Sequence, residues 1–172
     1  MVINLRNIIL CGFMGCGKST VGRRLAELTD RRFIDMDDWI VKKAGISINE
    51  IFSRLGEDEF RRYETDACNI LSAQQGLVIA AGGGALTFAK NVSLLSKTGD
   101  IVLLDVPLDV ILRRIKGDTT RPLLARSDRD EAAQALYDAR IPLYRRAAGY
   151  IVNGEGSAQE VAQSIIEILK TE

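Results

Sequence analysis

The chain has 172 residues, 47% of them hydrophobic and 27% charged, which suits one globular domain with a substantial core. Its 23 basic and 23 acidic residues cancel, so there is no electrostatic footprint for nucleic acid, and no apolar run approaches the roughly 20 residues of a membrane span. Histidine is absent, which leaves proton handling to carboxylates or to no side chain, and three cysteines, an odd number, suggest no disulfide framework.

Residues Met1 to Asn7 lack a basic segment followed by an apolar core, so no signal peptide is expected. The apolar run Ile8-Ile9-Leu10-Cys11 then has strand character and leads into Gly12-Phe13-Met14-Gly15-Cys16-Gly17-Lys18-Ser19-Thr20. The stretch reads G-x-x-x-x-G-K-[ST], and Val21, Leu25, Ala26 and Leu28 follow it at helical spacing. Strand, glycine-rich turn and helix start together form a phosphate-binding loop. Backbone N–H groups can turn inward around an anion only where few Cβ atoms obstruct them, and the positive end of the helix faces the same anion. Gly15, Cys16, Gly17, Lys18, Ser19 and Thr20 are therefore expected to hold a nucleoside triphosphate, with Lys18 on the β- and γ-phosphates and the Ser19 hydroxyl on Mg²⁺. The plain alternative is a glycine turn that only joins a strand to a helix. A disulfide between Cys11 and Cys16 would distort this loop, so a reducing cytoplasm is the expected location.

A second strand, Arg32-Phe33-Ile34, ends in Asp35-Met36-Asp37-Asp38. Polar residues at strand carboxyl ends face the ligand crevice of an open α/β sheet, so Asp35 and Asp37 are functional candidates, with capping of the following helix as their plain alternative. Asp38 reads as the N-cap of a helix over Trp39 to Lys43. Gly45 ends that helix, and Ser47-Ile48-Asn49-Glu50 is a capping box for another that Gly56 stops. Glu57 through Ala73 form a longer helix, on which Arg61, Arg62 and Glu64 belong to a charge run of the kind that usually marks a solvated face. Leu77 to Ala81 is a buried central strand that stops at Gly82-Gly83-Gly84, a triplet implying close approach of backbone to a ligand or another segment.

A helix around Phe88 to Leu95, a strand Ile101 to Leu104 ending at Asp105, and a helix Leu108 to Lys116 come next. Gly117 to Asp130 is a long polar stretch with Arg121, Arg126 and Arg129, read as a lid over the phosphates. A helix from Glu131 follows, with an interruption expected near Pro142, then a strand Tyr150 to Val152 and an amphipathic helix Ala158 to Leu169. No repeat or linker breaks the chain, so a single domain over residues 1–172 is expected. The alternation of strands and helices predicts an α/β fold: a doubly wound, mostly parallel five-stranded sheet flanked by helices.

With these pieces in order the chain resembles the shikimate kinases over nearly its whole length. The resemblance is carried by the phosphate loop, Phe33-Ile34-Asp35-Met36-Asp37, Glu59-Phe60-Arg61-Arg62-Tyr63-Glu64, Gly82-Gly83-Gly84-Ala85, Arg121-Pro122-Leu123-Leu124 and Arg140-Ile141-Pro142-Leu143-Tyr144-Arg145. It implies a P-loop kinase of the nucleoside monophosphate kinase type with a lid about residues 117–130. The implied reaction moves the γ-phosphoryl group of ATP, with Mg²⁺, to the 3-hydroxyl of shikimate in aromatic amino-acid biosynthesis. By resemblance Asp37 holds the shikimate hydroxyls and serves as base or orienter, Arg61 and Arg140 clamp the carboxylate, and Gly83 offers its backbone. Arg121 meets ATP, Asp35 supports Mg²⁺ beside Ser19, and Arg114 lies against adenine. The segment Asn153-Gly154-Glu155-Gly156-Ser157 departs from the family pattern, with neither proline nor arginine where the family closes over adenine. Asp105 stands as a second candidate on the metal side. Shikimate is the expected small-molecule partner of a monomer, with no nucleic acid and no membrane.

Two other readings remain open at this level. A gluconate or nucleoside monophosphate kinase shares the build, although a nucleotide acceptor needs a base-reading pocket. A catalytically silent regulatory module could retain the fold, although loss of Lys18, Asp37 or a substrate arginine would mark it, and all are present.

Overall fold

The computed structural model describes residues 5–116 and 128–171. Arg121 and most of the expected lid, residues 117–127, lie outside the described residues.

The chain runs β1 (Asn7–Cys11), α1 (Lys18–Thr29), β2 (Arg32–Asp35), α2 (Met36–Ala44), a single helical turn α3 (Ile48–Glu50) and α4 (Glu57–Ser72). It continues through β3 (Leu77–Ala80), α5 (Ala89–Ser96), β4 (Gly99–Asp105), α6 (Leu108–Arg114), α7 (Arg129–Ala147), β5 (Tyr150–Asn153) and α8 (Ala158–Lys170). The five strands form one parallel sheet in the order β2-β3-β1-β4-β5. The central strands β1 and β3 are buried along their whole length, so their sequences read as unbroken apolar runs instead of alternating ones. Asn7 is the exception. Its side chain donates to Gln74 O at 2.8 Å and accepts from Leu77 N at 2.9 Å, which ties the start of β1 to the start of β3.

Register brings the strand ends that matter to one edge. Asp35 pairs with Ala80 across β2 and β3, Leu10 with Ala80 across β1 and β3, and Cys11 with Leu103 across β1 and β4. The phosphate loop, the acidic cluster and the glycine triplet therefore leave the sheet side by side at its carboxyl end. Among the described residues no helix is long and apolar enough to cross a membrane.

Three expectations need correction. The helix over Pro142 is not interrupted: α7 is continuous from Arg129 to Ala147. A proline inside a helix forfeits one hydrogen bond at a cost of about 3 kcal/mol, but burial of Ala133 and Tyr144 and packing of Tyr137, Ile141 and Ala147 on the core hold both halves in line. Because α7 starts at Arg129, Arg129 and Asp130 belong to a helix and not to a lid. The segment after the Ser47–Glu50 capping box is not one α-helix either. Beyond α3 the residues Ile51–Leu55 form a π-helical segment closed by Gly56 N donating to Ile51 O at 3.0 Å. Ile51 is buried with Ile40 and Phe60, and Phe52 stacks on Phe60 with ring centroids 4.7 Å apart. The wider turn keeps both residues of this second, smaller core inward.

Candidate functional site

Two cavities open at the carboxyl end of the sheet. The first, about 510 Å³, is lined by Gly15, Gly17, Lys18, Ser19, Asp35 and Arg114, with Asp37 and Gly83 on its far side. The second, about 550 Å³, includes Asp37, Arg61, Glu64, Gly83 and Arg140, and has apolar walls from Met14, Val41, Phe52 and Leu136. Asp37, Asp38 and Gly83 line both.

The first cavity is made mostly of backbone. Gly15 and Gly17 have φ of 75° and 101°, left-handed values that bend the chain into α1 and that only glycine adopts without strain. Lys18 Nζ donates to Gly12 O at 2.7 Å and to Phe13 O at 3.1 Å, so the ammonium lies along the loop it serves. Phe13 is buried and meets the Tyr137 ring edge-on at 5.4 Å, which anchors the loop to α7. Ser19 Oγ donates to Asp35 Oδ2 at 2.5 Å. The other oxygen of Asp35 accepts from Asp37 N at 2.9 Å and Asp38 N at 3.4 Å, which makes Asp35, and not Asp38, the N-cap of α2. Hydroxyl and carboxylate oxygens are hard donors. Among the described residues no three metal-ligating side chains form a cage, so this pair suits a cation completed by phosphate and water, the usual habit of Mg²⁺.

The Cys16 thiol accepts from Lys18 Nζ at 3.8 Å. Cys16 is 1% exposed and its thiol faces inward, where a Cβ on Gly12 would lie 2.7 Å from Sγ. Asp105 falls away from this cavity. It pairs with Arg145 at 3.1 Å in a separate cleft beside Tyr137 and Asn153. Arg114 donates to Cys16 O at 3.3 Å, Gly154 O at 3.1 Å and Glu155 O at 3.0 Å, bridging the phosphate loop to the segment after β5. Asn153 Oδ1 accepts from Glu155 N at 2.9 Å, so that segment is shaped by an Asx turn despite lacking proline and arginine.

The second cavity is made of side chains from distant parts of the chain, and the glycine triplet is where they converge. A Cβ at Gly82 would lie 3.0 Å from Glu64 Oε1 and 3.1 Å from Asp37 Oδ1; one at Gly83 would lie 3.2 Å from Arg140 Nη1; one at Gly84 would collide with the Arg61 guanidinium. Each glycine thus admits a different charged group against the backbone. Asn91 keeps the strap in place by donating to Ala85 O at 2.9 Å. Arg61 pairs with Glu64 at 2.6 Å and Glu57 at 3.2 Å, and its guanidinium lies 5.5 Å from the Phe88 ring.

Glu64 is the residue that charge-run reasoning misses. At 1% exposure it is no part of a solvated face. Burial raises its pKa above the usual carboxylate range, Arg61 opposes, Asp37 adds to the rise and Arg140 opposes again. Its Oε1 has no hydrogen-bond partner among the described residues. The signal was in the spacing: position 64 shares a helix face with Phe60, Ala67, Cys68 and Leu71, all buried. Phe52 and Tyr144 were missed as well. Tyr144, buried on α7, donates its hydroxyl to Gly83 O.

Residues 14–170 match the family model described as shikimate kinase. The chain is 46% identical over 165 residues to a shikimate kinase of Geobacter sulfurreducens, covering 96% of this chain and 91% of that one. It superposes with a TM-score of 0.93 on a shikimate kinase of Acinetobacter baumannii solved in complex with shikimate, at 42% identity and covering 97% and 94% of the two chains. A gluconokinase of Sinorhizobium meliloti shares the fold alone, with a TM-score of 0.62 at 16% identity.

Proposed function

The chain belongs to the shikimate kinase family, and from that premise we propose that its two cavities divide the reaction, ATP phosphates in the first and shikimate in the second. The enzyme transfers the γ-phosphoryl group of ATP to the 3-hydroxyl of shikimate, giving shikimate 3-phosphate and ADP. The observation that carries the division is that Asp37 and Gly83 border both cavities, so a phosphoryl group can pass between them there without crossing protein.

Phosphoryl transfer asks for positioning and charge neutralisation more than covalent help. Asp37 accepts a hydrogen bond from the attacking hydroxyl, orients it and takes its proton. Arg61 and Arg140 hold the shikimate carboxylate through planar donor pairs, and the Gly83 N–H meets a ring hydroxyl. Phe52, Met14 and Leu136 supply an apolar wall for the ring carbons. Lys18 and the backbone of Gly15, Cys16, Gly17 and Thr20 neutralise the phosphates, and Arg121 adds charge from the lid. Mg²⁺, held through Ser19 and Asp35, supplies Lewis-acid stabilisation of the phosphate oxygens when bound. Arg114, steadied by Gly154 O and Glu155 O, offers a flat guanidinium to adenine. The remaining lid about residues 117–127, a single domain, a monomeric state, a cytoplasmic site of action and the absence of nucleic-acid and membrane partners complete the reading. Zero net charge and three unbridged thiols support it.

Asp37→Asn tests this assignment. Asparagine keeps the size and much of the hydrogen bonding, so the change probes charge and basicity. Turnover with saturating shikimate should fall by ~10²–10⁴ while ADP affinity holds. Near-normal turnover would remove Asp37 from the chemistry. ATP consumption with gluconate or a nucleoside monophosphate in place of shikimate should stay at background.

A further inference from the structure

The chemistry above leaves Tyr144 without a part, yet it is among the largest fully buried side chains, and it lines neither cavity. It lies one helical turn beyond Arg140 on α7, so the two side chains share a face. A buried phenol needs a partner for its proton, and here the hydroxyl donates to Gly83 O. The direction is set by valence: a carbonyl only accepts, so the single phenolic proton goes to Gly83. The Arg140 guanidinium lies against the same glycine: a Cβ on Gly83 would stand 3.2 Å from Arg140 Nη1 and 3.9 Å from the Tyr144 hydroxyl. Tyr144 also holds this proton firmly, because burial raises its pKa well above the usual phenol value.

The backbone it grips is the middle of the glycine triplet. Gly82, Gly83 and Gly84 let Glu64, Arg140 and Arg61 approach the backbone closely, and three successive glycines have the widest conformational freedom a chain can have. A restraint therefore has to come from outside the triplet. We propose that Tyr144 is a positioning residue for the acceptor: its hydroxyl locks the Arg140 guanidinium and the Gly83 peptide at one separation, so that carboxylate and ring hydroxyls are received together. The inference rests on the reading that Arg140 takes the shikimate carboxylate and Gly83 its hydroxyl.

The experiment uses Tyr144→Phe and Arg140→Ala in the full chain, with steady-state constants for shikimate, shikimate methyl ester and ATP, and melting temperature on the same preparations. Phenylalanine keeps the ring, so the core stays filled. Loss of the hydroxyl should raise KM for shikimate about three- to tenfold, as for a net hydrogen bond, with KM for ATP unchanged. The preference for shikimate over its methyl ester should shrink in Tyr144→Phe, because the carboxylate clamp is what has loosened. A lower melting temperature with that preference intact would make Tyr144 a core residue only and overturn the proposal. If Arg140→Ala raises KM and Tyr144→Phe does not, the inference alone fails. If Arg140→Ala itself leaves KM for shikimate unchanged, the carboxylate reading fails and takes the inference with it. Should Tyr144→Phe not fold, Tyr144→His, which retains a ring N–H toward Gly83 O, is measured in its place, with the ester preference deciding as before.

Discussion

The cavity proposed for the phosphates is built of backbone, drawn from one uninterrupted stretch, Gly12 to Thr20, plus the Ser19–Asp35 contact. The cavity proposed for the acceptor is built of side chains from α2, α4 and α7 that meet at a glycine strap. The difference has a physical basis. Phosphate is a compact, highly charged anion that amides and one helix terminus can match with local geometry. A carboxylated ring with several hydroxyls has a shape, and matching it takes donors at separations that no single segment spans. The phosphate side should therefore fail through loss of charge, and the acceptor side through loss of mutual support among Arg61, Glu64, Arg140 and Tyr144.

The largest effect that would sharpen this contrast is expected at Lys18. Lys18→Ala should lower turnover by ~10²–10³, the scale for removing one transition-state donor, and leave shikimate affinity measured by calorimetry nearly unchanged. A parallel loss of shikimate affinity would show that the two pockets are not separable in this way.

Next in size is a cycle on the acceptor side. Arg61→Ala should raise KM for shikimate roughly ten- to a hundredfold, from loss of a charged hydrogen-bond pair, and cost about 1–3 kcal/mol of stability because Glu64 is left buried without its cation. Adding Glu64→Gln to Arg61→Ala should recover part of the stability and none of the KM. Urea unfolding and steady-state kinetics on the single and double variants decide it. Recovery of both quantities would mean that Arg61 serves Glu64 and not the substrate.

A smaller effect comes from Glu64 alone. Burial holds its folded pKa above the unfolded carboxylate value of about 4.3, so the folded state keeps its proton more tightly than the unfolded state does. Stability is then lost as pH rises from the unfolded value through the folded one. Glu64→Gln cannot ionise, so the wild-type protein should lose stability relative to the variant across that window. Unfolding curves collected between acid and neutral pH that stay parallel would remove the effect.

The smallest effect is a negative one. Burial raises the thiol pKa of Cys11 and Cys68 to about 12, and Cys16 is buried beside Cys11. Iodoacetamide at neutral pH should leave all three untouched in native protein and modify all three in urea. Rapid labelling of Cys16 in the native state would mean that the phosphate loop is more open than described.

These expectations trace a division between local and long-range rules. The phosphate loop, the parallel sheet, Asp35 and Asp37 at one strand end and the glycine triplet were legible in the sequence because each is a local rule: turn chemistry, apolar runs, polar residues at a carboxyl edge. Arg61 and Arg140 were legible only through resemblance, since a surface arginine and a convergent one look alike in sequence. Other features were decided by tertiary structure. Pro142 stays inside α7 because core contacts on both sides outweigh one missing hydrogen bond. Asp35 takes the cap that Asp38 was expected to supply, because β2 ends where its side chain can reach the amides of Asp37 and Asp38. Glu64 is buried against Arg61, and Tyr144 and Arg140 meet at Gly83, because α4 and α7 both pack against one strap. The sequence by itself determined the fold class, through strand and helix patterns, and the proposed phosphate loop, whose residues Gly12 to Thr20 are near neighbours in the chain. The proposed acceptor site waited on tertiary structure, because it joins residues 37, 64, 83 and 140, and only packing sets those distances.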